Sequence, residues 1–360
     1  MKKYIFLFSL VLFSFSLLAQ EDGQVRTSSY FHFTGTIGKS LNITADLTIV
    51  NDTAISGYYS YDSYGIPIML RGKIFLDNEV QLYEYNKEWE KTAELKGFFE
   101  QSKITGTFQN LKTNKKFPFI FNVSADPSCM AFKGYSLCNK KYLNNSNAGP
   151  VCTVNYNVLF PEKYKNKVVQ DSVFIYIKNT YFSGSLINDP VKLLNDNADS
   201  AFASYLTTNS DTINMGNALF MLSWDFDEDV KVIYNANDIL SLEFSAYYYT
   251  GGAHGGYGSI FKNIDLKSGK TILLKDLLKP GYQDALSSII TKALKQQYGM
   301  TETTKLSDNG FFVETIDPSS NFYLTKKGIG FVYNPYEIAC YANGMIDIFV
   351  PFSDMEAIVK

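Results

Sequence analysis

From about residue 20 to residue 125, apolar side chains recur at every second position in short runs. In "LNITADLTIV", Leu41, Ile43, Ala45, Leu47 and Ile49 share one face, and Asn42, Thr44, Asp46 and Thr48 share the other. This two-residue period predicts a strand with one face buried. Seven further runs of this kind surround it: "YFHFTGTIG", "ISGYYSYDSYG", "PIMLRGKIF", "VQLYEYN", "LKGFFEQ", "KITGTFQN" and "FPFIFNV". Turn-forming stretches such as "VNDTA" and "LDNE" separate them. A regular meander with short turns predicts a closed or nearly closed antiparallel barrel, since closure removes exposed strand edges. Gly57, Gly72, Gly97 and Gly106 interrupt the runs where a barrel bends. The inward side chains are expected to fill this barrel. His32, between Phe31 and Phe33, reads as an ordinary strand residue.

The pattern then changes. Residues 126–151 carry two cysteines, with a third, Cys152, directly after them, two prolines and many Asn and Ser residues, and read as an irregular linker. Residues 152–360 mix periods. "CTVNYNVLF" alternates like a strand, and "SVFIYIKNTYF" has β preference. From Pro190, Val191, Leu194, Ala198, Ala201, Phe202 and Tyr205 fall at helical spacing, with proline suited to the first turn. Two or more strands follow, with a turn at "NAND". In "YQDALSSIITKALKQQYG", Leu286, Ile289, Ile290, Ala293, Leu294 and Tyr298 form a helical stripe that Gly299 ends. The expected fold class is therefore α+β. A barrel-like β-meander over 20–125 precedes a mixed region with two principal helices, divided at about residue 240. The acidic "DFDED" after Trp224 lacks the glycine and later glutamate of a calcium loop and reads as a solvated turn.

Composition fits a chain with a large core: 46% of residues are apolar and 19% charged, and 26 Tyr and 28 Phe favour sheets. A net charge of −3 gives no electrostatic reason to expect nucleic acid. Residues 1–19, with Lys2 and Lys3 before an apolar run ending at Ala19, have the pattern of a secretory signal. The mature chain is expected to be exported, periplasmic or extracellular, with no later membrane span and no lipid-acceptor cysteine. Export makes the four cysteines, Cys129, Cys138, Cys152 and Cys340, candidates for two disulfides. Three pairings satisfy four cysteines, and the sequence does not choose among them. With eight and thirteen residues between the first three, a metal site is not indicated.

The densest candidate chemistry lies in "YYYTGGAHGGYGSIFKNIDLKSGK". Here Tyr247, Tyr249, Gly251, Gly252, His254, Tyr257, Asn263 and Asp265 are candidate binding residues. The glycines permit positive φ and close backbone approach. Asn263 and Asp265 can cap turns, and tyrosines suit contact with a partner. As a base, His254 would need an orienting acid, for which Asp265 is the nearest candidate in sequence. The glycine spacing is not that of a phosphate loop. No cofactor is expected. Structural support is the first reading of the segment, partner contact the second and catalysis the third.

Two stretches together, "YYYTGGAHG…NIDLKSGK…LLKDLL" and "GIGFVYNPYEIACYANGMIDIFVPFSDM", resemble the extracellular C-terminal domain of RsiV-type anti-sigma factors and PdaC-type cell-wall proteins. The resemblance covers about 150–360 and leaves the barrel unmatched. It implies an α+β binding module. In the RsiV type this module senses lysozyme; in the PdaC type it accompanies a separate catalytic domain. No stretch here reads as a sigma-binding segment or a deacetylase domain, and Cys340 in "EIACYA" departs from the pattern. The expectation is a non-enzymatic envelope protein that recognises a lysozyme-like muramidase or a cell-wall glycan. The alternatives are an envelope hydrolase using His254 with a carboxylate and a structural envelope protein.

Overall fold

The computed structural model describes residues 23–144, 148–210 and 221–360, so the leader read in residues 1–19 lies outside it. All eight alternating runs form strands: β1 (Arg26–Ile37), β2 (Leu41–Val50), β3 (Ala54–Tyr61), β4 (Ile68–Ile74), β5 (Glu79–Tyr85), β6 (Lys91–Glu100), β7 (Lys103–Asn110) and β8 (Lys116–Val123). Each is antiparallel to the next, and β8 returns to β1 over Phe33–Ile37, closing the barrel. Phe33, Leu47, Tyr59, Leu82, Leu95 and Phe121 fill the interior. At Gly57, Gly72, Gly97 and Gly106 an added Cβ would lie 1.8–2.0 Å from a carbonyl oxygen of the adjacent strand. No side chain fits there, and the barrel can bend tightly.

Strand β1 also leaves the barrel. Its first residues, Arg26–Ser29, pair with Lys133–Ser136 of β9 (Ala131–Tyr142). The cysteine-bearing segment 126–151 is thus not loop throughout, because β9 runs through it. Then follow β10 (Val151–Lys163), β11 (Trp224–Ala236), β12 (Ile239–Tyr249), β13 (Gly256–Asp265) and the short β14 (Lys270–Thr271). Through β1 they form one 14-stranded sheet with the barrel.

β10 and β11 are parallel, so a crossover must join them. It contains α1 (Lys167–Tyr181) and α2 (Pro190–Asn209), both packed on one face of β9–β12. Helix α2 starts as its sequence indicates, with Asp189 as N-cap and proline in the first turn. Helix α1 corrects the strand reading of "SVFIYIKNTYF". The Asn166 side chain caps its start, and buried Val169, Val173 and Ile177 lie four residues apart on the sheet-facing side. Packing of that stripe outweighs the β preference of its Val, Phe, Ile and Tyr residues.

A second correction concerns "DFDED". It is not a turn: Asp225–Asp229 lie within β11, paired with β10 on one side and β12 on the other. Beyond β14, α3 (Leu274–Leu277) and α4 (Gln283–Gln297) pack with a small sheet of β15 (Phe322–Leu324), β16 (Gly328–Tyr333) and β17 (Ile346–Pro351). Leu286, Ile290 and Leu294 of α4 are buried in that core. Among the described residues three helices are long rather than two, and the α+β class stands.

None of the four cysteines is in a disulfide, so the two-bridge expectation is not met. Register explains the closest case. On β9 and β10, Cys138 faces Asn155 while Cys152 faces Lys141. Cys152 and Asn155 are three positions apart on β10, an odd offset, so the two cysteine side chains point to opposite faces of the sheet. Cys129 lies against Asn235 at the end of β11, whereas Cys340 lies in the turn that holds Tyr341.

The β1–β9 pairing gives a test of how the two units are joined. After proteolytic cleavage in the exposed 125–127 stretch, the two pieces are expected to co-elute in native gel filtration and to separate in urea. Separation under native conditions would show that the shared strand does not hold them.

Candidate functional site: an aromatic and acidic sheet face

The face of β10–β13 opposite the helices is polar. Alternation along β11 places Asp225, Asp227, Asp229 and Lys231 on it. Cross-strand register adds a row of Asn155, Asp227, Tyr247 and Tyr257, and beside it a row of Asn157, Asp229, Ser245 and Ser259. The barrel covers part of this face. Tyr58 of β3 donates to Glu243 Oε2 at 2.7 Å, Ser259 donates to its Oε1 at 2.8 Å, and Lys231 Nζ meets Asp229 Oδ2 at 2.5 Å. A cleft of about 570 Å³, lined by Arg71, Asn157, Asp229 and Lys231 among others, remains between barrel and sheet.

Asp225, Asp227 and the tyrosines lie further along, toward the glycine segment. Burial raises the Asp227 carboxyl to about 7, and the neighbouring charges of Asp225 and Asp229 add to this while Asn155 opposes it. Asp225 is also raised, chiefly by burial, with Lys140 opposing. Its Oδ1 is buried without a hydrogen-bond partner among the described residues. On the helix side, burial raises Glu228 to about 7.

The glycine segment closes this end of the sheet. Gly251 and Gly252 adopt φ of +98° and +95°, as a left-handed turn requires. Gly255 and Gly256 serve a different purpose. Their φ is ordinary, but an added Cβ would come 2.5 Å from the rings of Tyr247 and Tyr248. Tyr249 donates to the Gly252 carbonyl at 3.0 Å. His254 is exposed, with Nδ1 2.9 Å from the Gly255 carbonyl and its ring stacked on Tyr341 at 4.4 Å. Tyr341 also donates to the Gly255 carbonyl at 2.8 Å, and Tyr257 and Tyr336 pack against its ring. Tyr336 is 59% exposed and held at φ +72°, unusual for a bulky residue.

Six of the eight sequence candidates therefore meet here: Tyr247, Tyr249, Gly251, Gly252, His254 and Tyr257. The other two do not. Asn263 is buried and joins the two sheets: its Oδ1 accepts from Ser241 Oγ at 2.7 Å and Leu324 N at 2.9 Å, and its Nδ2 donates to the Phe322 carbonyl at 2.7 Å. Asp265 caps the following turn, accepting from Lys267 N at 2.9 Å and Ser268 Oγ at 2.6 Å. It ends β13, nine residues beyond Gly256. That is about 30 Å at roughly 3.3 Å per residue, so Asp265 cannot orient His254. Sequence reading missed Tyr336, Tyr341, Asp225 and Asp227. The tyrosines are distant in the chain, and the aspartates were assigned to a turn. Among the described residues, no group of three or more His, Cys, Asp and Glu side chains could hold a metal ion.

The architecture is a closed meander barrel fused through one strand to an α+β unit with an open aromatic and acidic face. Comparison assigns the α+β unit more closely. Residues 143–257 match the family described as deacetylase PdaC, and residues 275–353 match the protein of unknown function family DUF3298. The C-terminal region thus carries a PdaC-type segment followed by a DUF3298-type segment, and neither match reaches the barrel. The chain is similar to the crystal structure of a DUF3298 family member from Bacteroides fragilis, at 26% identity and a TM-score of 0.59, over 64% of this chain and 94% of that one. It is also similar to a DUF3298 family protein from Pseudomonas aeruginosa PAO1, at 20% identity and a TM-score of 0.44, over 63% of this chain and 94% of that one. No curated protein sequence matches it. The face spans both matched segments: His254 and Tyr257 belong to the first, Tyr336 and Tyr341 to the second.

Two measurements test these assignments. Asp227 and Glu228 both have folded values raised to about 7, above their ordinary carboxyl values. Their contribution is complete below the unfolded values and is lost as pH rises through about 7. The melting temperature is therefore expected to be several degrees lower at about pH 8 than at about pH 5, and Asp227→Asn with Glu228→Gln to flatten that slope. An unchanged slope in the double variant would reject the assignment. Asn263→Ala removes three buried hydrogen bonds and is expected to cost about 3 kcal/mol in urea unfolding; a loss below about 1 kcal/mol would show that Asn263 does not join the sheets.

Proposed function

We propose that this chain is an exported, non-catalytic binding protein of the cell envelope. Its recognition face is the aromatic and acidic end of β11–β13, and its ligand is a lysozyme-like muramidase. The observation that carries this reading is the convergence of His254, Tyr257, Tyr336 and Tyr341 on one surface beside Asp225 and Asp227. Rigid tyrosines provide contact area at low entropic cost, and aromatic residues are enriched at interface centres. Carboxylates beside them suit a basic partner, which the charge of a lysozyme would provide. The resemblance to lysozyme-sensing and cell-wall modules supports the same assignment and the same compartment. No helix among the described residues is long and apolar enough to cross a membrane.

Geometry favours binding over hydrolysis. Among the described residues His254 has a backbone carbonyl and a tyrosine ring as its near partners, not an orienting carboxylate. Exposure of its imidazole on the Tyr341 ring supports a contact role.

Biolayer interferometry with immobilised lysozyme tests this. Tyr336→Ala and His254→Ala change exposed side chains, so melting temperatures are expected to stay within about 2 °C while Kd weakens about tenfold, or about 1.4 kcal/mol each. No binding by the wild-type chain would reject the muramidase, and wild-type affinity in both variants would reject the face. Co-sedimentation with cell-wall sacculi, weakened by the same variants, would instead assign the face to a glycan.

A further inference from the structure

Because β1 is shared, barrel and sheet diverge from it as two walls, β2–β4 on one side and β9–β11 on the other. The cleft between them, about 570 Å³, has the size of a small-molecule site. No residue of 247–257 or 336–344 lines it, so it is separate from the aromatic end. On the barrel wall Thr48, Ser56 and Arg71 stand opposite one another across β2, β3 and β4. Val50, Ala54 and Lys73 form the next such row. Both rows point outward, since the alternate residues Leu47 and Ile49 fill the barrel. The sheet wall contributes Asn157, Leu159, Asp229 and Lys231.

At the apex Ser28 of β1 is paired with Gly134 of β9. A Cβ on Gly134 would come 2.7 Å from Ser28 Cβ, so glycine makes room for the serine. Ser28 is 7% exposed, and its Oγ has no hydrogen-bond partner among the described residues. A buried hydroxyl in this state favours any ligand group that can pair with it. Charge in the lining is uneven: Arg71, Lys73 and Lys231 stand against two carboxylates, Asp52 and Asp229. Lys231 and Asp229 pair with each other, and Lys73 and Asp52 are exposed. Glu243, also near Arg71, does not line the cleft and accepts from Tyr58 and Ser259. Arg71 is set inside, with its guanidinium over the Trp89 ring at 4.7 Å. Burial lowers it from its ordinary value, with the Asp229 charge opposing, and a guanidinium partly stripped of water attracts a carboxylate strongly. The remaining lining is largely hydrocarbon, from Val50, Ala54 and Leu159. On the β4–β5 turn, Phe75 and Leu76 continue it outward as exposed apolar side chains.

We propose that this cleft binds a short apolar peptide with a free C-terminal carboxylate. The carboxylate pairs with Arg71, and a backbone amide meets the Ser28 hydroxyl. Apolar side chains lie on Val50, Ala54 and Leu159 and leave past Phe75 and Leu76. Three strand spacings separate β1 from β4, at most about 14 Å at roughly 4.8 Å each. A few extended residues at about 3.3 Å each cover that span. A fatty acid matches the charge and the hydrocarbon but has no second polar group for Ser28.

The test is calorimetric titration of the full chain with N-acetyl-trileucine, its C-terminal amide and dodecanoate. The peptide acid is expected to bind one to one, and the amide at least about tenfold more weakly. Ser28→Ala removes a hydroxyl with no partner in the free chain. Its melting temperature is expected to match wild type, with peptide affinity about fivefold lower. Ala54→Phe narrows the cleft from a half-buried wall position and is expected to abolish binding. The proposal is overturned if the wild-type chain shows no saturable binding of the peptide acid below about 1 mM. It is equally overturned if acid and amide bind alike, or if Ser28→Ala keeps wild-type affinity. Tighter binding of dodecanoate than of the peptide would also overturn it, and would assign the cleft to a hydrocarbon chain.

Discussion

Strand β1 belongs to two structures at once, and the arrangement of the whole chain follows from that. Its later residues close the barrel against β8, and its first residues extend the sheet through β9. The barrel is thereby fixed over one face of β10–β13. Where it lies, Glu243, Ser259 and Tyr58 satisfy one another, and Lys231 pairs with Asp229. Where it stops, Asp225, Asp227 and the tyrosines are left beside the glycine segment. The shared strand thus decides which part of a polar sheet face is internal and which can meet a partner. A branch also interrupts the backbone ladder, and buried polar groups there need partners. Asn235 and Met130 meet that need by a reciprocal amide pair, with Cys129 held alongside.

Much of the fold was legible in the sequence where a single physical rule dominated. Each barrel run shows two-residue alternation, and the glycines at its bends have no room for a Cβ. Helix α4 shows its stripe and α2 its proline start for the same reason. The errors arose where tertiary packing overruled local preference. "SVFIYIKNTYF" has β-branched and aromatic residues, but Val169, Val173 and Ile177 find a sheet to cover and form a helix. "DFDED" has the composition of a surface turn. It becomes a central strand because α1 and α2 cover one side, leaving its carboxylates on the other or half-buried, with Asp227 and Glu228 raised. The cysteines were read from compartment alone, and strand register places Cys138 and Cys152 on opposite faces.

The candidate face was legible only in part, because half of it comes from elsewhere in the chain. Six residues of the glycine segment are local and were found by composition. Tyr336 and Tyr341 lie far along the sequence and are brought in by the Asn side chains that seat the second sheet on β13. Asn321 Oδ1 accepts from Phe261 N and Asn334 Oδ1 from Ser259 N, both at 2.8 Å. These bonds occupy the free edge of β13, which would otherwise offer unpaired amides. They also bring the His254 ring onto Tyr341. Asn263, chosen from sequence as a turn cap, belongs to this joining role.

The central claim is that recognition occurs at the end of the sheet the barrel leaves open. Hydrogen–deuterium exchange with and without saturating lysozyme tests it most directly. The account predicts slowed exchange in the backbone of residues 249–258 and 336–344, with β5–β7 of the barrel unchanged. Protection confined to the barrel, with the glycine segment exchanging as in the free chain, would contradict it.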